Sequence, residues 1–184
     1  MNKNALWWLL GGLFAAVLSI GALVFFRQCV VTPYKLPTAS MEPTIKRGGY
    51  FFVFKIAYRR PASVKRGDIV AYRIVVDGQS DVFIKRVIGV PGDHIVAKGG
   101  TLKINGAEVG RREVRRQGEQ SVFEEKIGSL SYEILLGRVS PGSKDADVIV
   151  PKDYFFVMGD NRMNSLDSRY TGCVRFADII GKKL

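Results

Sequence analysis

The chain has 184 residues, 28 Lys and Arg against 17 Asp and Glu, one histidine and two cysteines, for a formal net charge of +11. So few cysteines exclude a disulfide framework, and with a single histidine a structural zinc site has no support. The charge alone names no partner: it is compatible with nucleic acid, with anionic lipid or with an ordinary solvated face.

Residues 5–26 carry no charge and are rich in Leu, Trp, Phe, Val, Ala and Gly. As a helix the run would extend about 33 Å, enough to cross a hydrocarbon core roughly 30 Å thick. Trp7 and Trp8 fall near one end, where indoles favour the membrane interface. The run exceeds the apolar core of a cleavable signal, and the Arg27-Gln28-Cys29 that follows is neither a small-residue cleavage site nor a lipoprotein site. Residues 1–28 are therefore expected to be a retained transmembrane anchor. Lys3 favours a cytoplasmic N-terminus, whereas Arg27 and Lys35 weaken that argument. On a tethered chain, anionic lipid is a better reading of the charge than nucleic acid, and no nucleic-acid partner is expected. Cys29 and Cys173 are read as two free thiols, with a bridge between them in an oxidising compartment as the alternative.

Beyond the anchor the punctuation is that of a β protein. Apolar or alternating runs occur at Tyr50–Phe54, Asp68–Tyr72, Val82–Val90, Ser131–Leu135 and Tyr154–Met158, separated by Gly, Pro, Asn and Asp. Leu102–Val109 contains Asn105-Gly106, which suits the positive φ angles of a type I′ hairpin turn. Arg111 to Lys126 is charged and weakly patterned, and reads as a mobile loop or a surface hairpin.

Two residues stand out chemically. Ser40 lies in Leu36-Pro37-Thr38-Ala39-Ser40-Met41-Glu42-Pro43-Thr44, and Lys85 lies in a strand-like segment. Alternation places Phe83, Lys85 and Val87 on one face and Ile84, Arg86 and Ile88 on the other. Lys85 is thus flanked by apolar neighbours, with Arg86 directed away. Desolvation lowers a lysine pKa, and a neutral amine can take a hydroxyl proton. The bland alternatives are an edge-strand lysine whose head reaches water and a serine in a turn. His94 is the rival base, being the lone histidine. Thr38 offers a second hydroxyl to assist the Ser40 N–H at an oxyanion. The polar stretch Met158–Tyr170 is either a hydrogen-bonded turn or a support, in which Ser165 orients the lysine amine and Asp167 pairs with Arg169.

At these residues the chain resembles the bacterial type I signal peptidases, membrane-bound Ser-Lys endopeptidases that remove signal peptides. The resemblance rests on Ser40-Met41-Glu42-Pro43-Thr44, Gly67-Asp68-Ile69-Val70, Lys85 to Asp93, and Gly159-Asp160-Asn161-Arg162 through Ser165, Asp167, Ser168 and Arg169. It covers most of the chain except roughly residues 108–150. It implies Ser40 as nucleophile, Lys85 as general base, Thr38 completing the oxyanion hole with the Ser40 N–H, and Met41 lining the substrate cleft. Ser165, Asp167 and Arg169 would support the lysine. The implied fold is mainly β: an antiparallel catalytic core (29–95 and 151–184), an inserted β cap with a mobile basic loop (96–150), and one transmembrane helix ahead of them. The resemblance implies no cofactor, and signal peptides of exported preproteins and the lipid bilayer as partners. It also implies a single-pass protein of the bacterial cytoplasmic membrane, with its catalytic domain outside. A dedicated processing peptidase of a pilus or conjugation system, a self-cleaving Ser-Lys repressor and a non-catalytic anchored β module are the competing readings.

Overall fold

A computed structural model describes residues 3–76, 78–137 and 144–184. Helix α1 (Lys3–Phe25) takes up the apolar run. Its segment Trp7–Phe25 has a mean hydropathy of 2.2 and none of it is buried against the rest of the protein, so length and composition suit it to a bilayer. A single π-helical turn, Phe26–Val30, leads directly into strand β1 (Val31–Lys35).

The largest sheet has seven antiparallel strands. In spatial order they are β1, β2 (Tyr50–Phe54), β14 (Ile179–Lys183), β3 (Ile69–Val76), β4 (Gln79–Gly89), β12 (Tyr154–Met158) and β13 (Val174–Arg175). Strand β2 shows the expected period of two: Phe51 and Val53 are buried while Tyr50 and Phe52 face outward. Between β4 and β12 the chain builds two smaller sheets. One holds β5 (His94–Lys98), β6 (Thr101–Ile104), β7 (Ala107–Glu108) and β11 (Ala146–Ile149); the other holds β8 (Gly110–Gln117), β9 (Gln120–Ile127) and β10 (Leu130–Leu136). The β6–β7 turn is made by Asn105 at φ 52° and Gly106 at φ 81°, as the Asn-Gly pair predicted.

Of the two expectations for residues 111–126, the hairpin is the one formed, and the mobile loop is replaced by paired strands. Arg111 opposes Glu125 and Arg112 opposes Glu124 across the ladder, and Arg115 reaches Glu133 of β10. The basic cluster is therefore largely compensated by acids on neighbouring strands.

Three clusters form the core. Ile88, Ile95, Leu102, Ile104, Val109, Ile134 and Phe156 join the large sheet to the smaller ones. Leu36, Met41, Ile45, Phe51, Val53, Ala71 and Ile84 fill the space beneath the loop between β1 and β2. Val64, Val70, Tyr72, Val87, Phe155 and Val157 line a further face. Ser40 and Lys85 both lie at the margin of these apolar clusters, which explains their burial. Cys29 and Cys173 are free.

Candidate active site

Ser40 sits in the loop between β1 and β2, which closes on itself through Leu36 N to Gly49 O (2.9 Å), Gly48 N to Leu36 O (2.6 Å) and Ile45 N to Met41 O (2.8 Å). Met41 and Ile45 drive apolar side chains into the core, so the loop is pinned on both sides of the serine. Ser40 itself is 5% exposed. Its carbonyl accepts the Asn161 N–H at 3.1 Å, which ties the loop to the chain leaving β12. Gly159 makes that approach possible, because a Cβ there would collide with the Ser40 carbonyl and the Ser165 side chain.

Lys85 stands in mid-β4 and is 3% exposed. Its Nζ lies 3.0 Å from Ser40 Oγ and 3.0 Å from the Ile84 carbonyl, with the Phe83 ring centroid at 5.2 Å. Burial, against an opposing pull from Asp167 and then Asp160, brings its pKa from 10.5 down to about 8. Thr38 Oγ1 is 3.1 Å from Ser40 Oγ, so the two hydroxyls and the amine form one contiguous group.

Asp167 has no accessible surface. It caps the short helix α2 (Ser168–Thr171), accepts the Gly159 N–H at 2.9 Å and holds Arg169 through two contacts of 2.9 Å. Ser165 differs from expectation: among the described residues it makes no hydrogen bond to Lys85, and its Oγ is shielded from solvent and unpartnered. Met41 also differs. It was expected to line the cleft, but it is wholly buried in the cluster beneath the loop, because the turn after Ser40 directs it inward. His94 is half exposed in β5, with Nε2 at 2.6 Å from Asp147, and has no contact with Ser40.

Sequence alternation put Arg86 opposite Lys85, and sequence reasoning stopped there. In the structure Arg86 is 6% exposed and donates to both Asp160 oxygens, at 2.8 and 2.7 Å. Asp160 also accepts the Thr44 hydroxyl at 2.6 Å, four residues from the serine. The adjacent positions Lys85-Arg86 and the acidic Gly159-Asp160 box were the signal that a second buried ion pair could sit beside the first.

The family described as "Signal peptidase, peptidase S26" matches residues 8–184. The chain belongs to that family. Signal peptidase I of Pseudomonas fluorescens is 34% identical over 99% of this chain and 72% of its own length. Signal peptidase I V of Bacillus subtilis is 34% identical over 95% of this chain and 94% of its own. Signal peptidase IB of Staphylococcus aureus strain Mu50 is 31% identical over 99% and 88%. A solved signal peptidase I from Enterococcus faecalis V583 is 28% identical, covers 65% of this chain and 95% of its own, and has a TM-score of 0.40. The chain is thus a peptidase of the signal peptidase family, mainly antiparallel β in its folded body and anchored to a membrane by its N-terminal apolar helix.

Proposed function

We propose that the chain removes signal peptides from exported preproteins with a Ser40–Lys85 dyad on the extracytoplasmic face of a bacterial cytoplasmic membrane. The observation that carries this reading is the 3.0 Å approach of a buried lysine amine to a buried serine hydroxyl. With its pKa at about 8, Lys85 is protonated in most molecules near pH 7 but neutral in about a tenth of them, far more than a free lysine, and that neutral fraction can act as a base. Ser40 Oγ attacks the scissile carbonyl as its proton passes to Lys85 Nζ. The oxyanion that forms takes hydrogen bonds from the Ser40 N–H and the Thr38 hydroxyl. Lys85 returns the proton to the leaving amine, then takes one from the water that attacks the acyl-enzyme and passes it to Ser40 Oγ as the acyl bond breaks. Asp167 and Arg169 brace the segment that follows Gly159, and Ser165, whose Oγ is buried and unpartnered, would steady the Lys85 amine only after a change of rotamer. In this reading Met41 supports the cleft from within, and small side chains are preferred at the first and third positions before the cut.

Residues 1–28 act as the anchor, 29–95 and 151–184 as the catalytic core, and 96–150 as a cap. The bilayer is the second partner. Between Arg27 and Arg66 nine Lys and Arg accompany a single acid, Glu42. Tyr50, Phe52 and Ile56 are exposed within that segment at 73%, 53% and 54%. Apolar rings beside cations suit a surface resting at headgroup level. The test of the dyad is the pH dependence of kcat/KM on a precursor substrate. An ascending limb centred near 8 supports it; a limb near 10.5, where free lysine titrates, would overturn it.

A further inference from the structure

The chemistry above leaves a buried charge cluster around Glu125 without a task. Glu125, in β9, has no accessible surface. Arg162 grips both of its oxygens, Nη1 on Oε1 at 2.9 Å and Nη2 on Oε2 at closer range. Arg111 Nε adds a contact of 2.9 Å to Oε1, and the Tyr132 hydroxyl donates to Oε2 at 2.5 Å. Burial works to raise the Glu125 pKa, but the two guanidiniums and the hydroxyl outweigh it and hold the carboxyl at about 2. Glu125 is therefore a fixed anion at any pH where the enzyme works.

Its partners reach the nucleophile loop by two routes. Along the first, Arg162 donates Nε to the Gly159 carbonyl at 3.2 Å and its backbone N–H to Leu135 O at 2.9 Å. The residue before it, Asn161, gives its N–H to the Ser40 carbonyl. Along the second, the Tyr132 ring lies 4.2 Å from the Arg86 guanidinium, which clamps Asp160, which in turn holds Thr44. Both routes begin at one carboxylate in the three-stranded sheet. Both end within Ser40–Thr44.

A buried ion pair is a poor way to gain stability, since apolar residues of similar volume serve as well or better. What it provides is fixed geometry. We propose that Glu125 is a positioning residue, holding Gly159–Arg162 and Arg86 in the arrangement that keeps Ser40 against Lys85. The proposal rests on the Ser-Lys reading, and it gives the three-stranded sheet a part in catalysis beyond covering the core.

The test uses the full chain in detergent micelles, with kcat and KM measured on a precursor and folding followed by circular dichroism. The double substitution Glu125→Leu/Arg162→Met removes the central pair together, so no unpaired partner is left between those two positions. The expected result is a cooperatively folded protein whose kcat falls about 10- to 100-fold, in line with small misplacements of reacting groups, while KM changes little. Tyr132→Phe keeps the ring beside Arg86 and removes only its bond to Glu125; its kcat should fall about 3- to 10-fold in a protein that still folds cooperatively, with a melting temperature lowered by the lost charge-assisted bond. A folded double variant with wild-type kcat would overturn the proposal. If the double variant does not fold, wild-type kcat in Tyr132→Phe overturns it instead. Lys85→Arg in the same assay separates the two levels of argument. Activity there sinks the Ser-Lys reading itself, whereas an inactive Lys85→Arg beside a fully active Glu125 variant sinks only the positioning role.

Discussion

Lys85→Met should abolish catalysis and, in a pH-dependent way, relieve a cost to stability. Burial, opposed by Asp167 and Asp160, holds the folded-state pKa at about 8 against 10.5 for the exposed amine. The unfolded chain therefore keeps this proton up to a higher pH than the native protein does. Below pH 8 both states are protonated and the native state bears the full cost of a desolvated ammonium. The cost is about 3 kcal/mol at pH 7.5 and less than about 1 kcal/mol at pH 10, from the two pKa values taken through proton linkage. Wild-type stability should thus rise between pH 8 and 10.5 by a component that Lys85→Met lacks. Methionine also loses the contacts of Nζ with Ser40 Oγ and Ile84 O, which shifts the whole comparison by a nearly constant amount. Groups that titrate in both proteins, such as the tyrosines, cancel in the difference. Urea unfolding of both full chains in micelles, followed by circular dichroism, should show the stability difference changing by about 2 kcal/mol from pH 7.5 to pH 10. A difference that stays constant over that range would refute the buried, weakly basic amine on which the proposed chemistry depends.

Thr38→Ala should lower kcat by about 10²- to 10³-fold with little change in KM, as expected for one oxyanion donor; a loss below about threefold would remove Thr38 from that role. Asp167→Asn deletes a carboxylate that raises the Lys85 pKa, so the ascending limb of kcat/KM should move to lower pH, while kcat falls because Arg169 loses its partner. His94→Gln should leave that limb in place, since His94 pairs with Asp147 in another sheet; loss of the limb would transfer the base to His94. Binding of the chain lacking residues 1–26 to anionic liposomes should exceed binding to neutral ones and fall only partly with salt, and equal indifference to both would leave positioning to the tether alone.

The anchor and most strands were legible because they obey one-dimensional rules. An uncharged run of the right length reads as a spanning helix, and β2, β3, β4 and β12 alternate or run apolar between turn residues. Ser40, Lys85 and the Asp167–Arg169 pair were legible through local motifs, and the structure brings the first two to 3.0 Å across 45 positions. The hairpin at β8 and β9 was harder, since charges stand on both faces and hide its period of two. Its signal was complementarity about Gly118: Arg111-Arg112 on one side mirror Glu124-Glu125 on the other. Glu125 and Arg162 are 37 positions apart and in different sheets or loops, so no local pattern joins them. Alternation correctly set Arg86 opposite Lys85 but could not show that Asp160 and Tyr132 enclose it. Met41 was assigned through the resemblance alone and Ser165 from its polar stretch as well, and their side-chain contacts depend on how the loop turns after Ser40 and after Gly159.

The most direct test is cleavage of an exported precursor by the purified full chain, with the product identified by its new N-terminus. The wild type should make a single cut after a small residue, and Ser40→Ala and Lys85→Arg should each be inactive, because nucleophile and base act as a unit and an arginine stays protonated. Retained cleavage by folded Lys85→Arg would contradict the Ser-Lys mechanism.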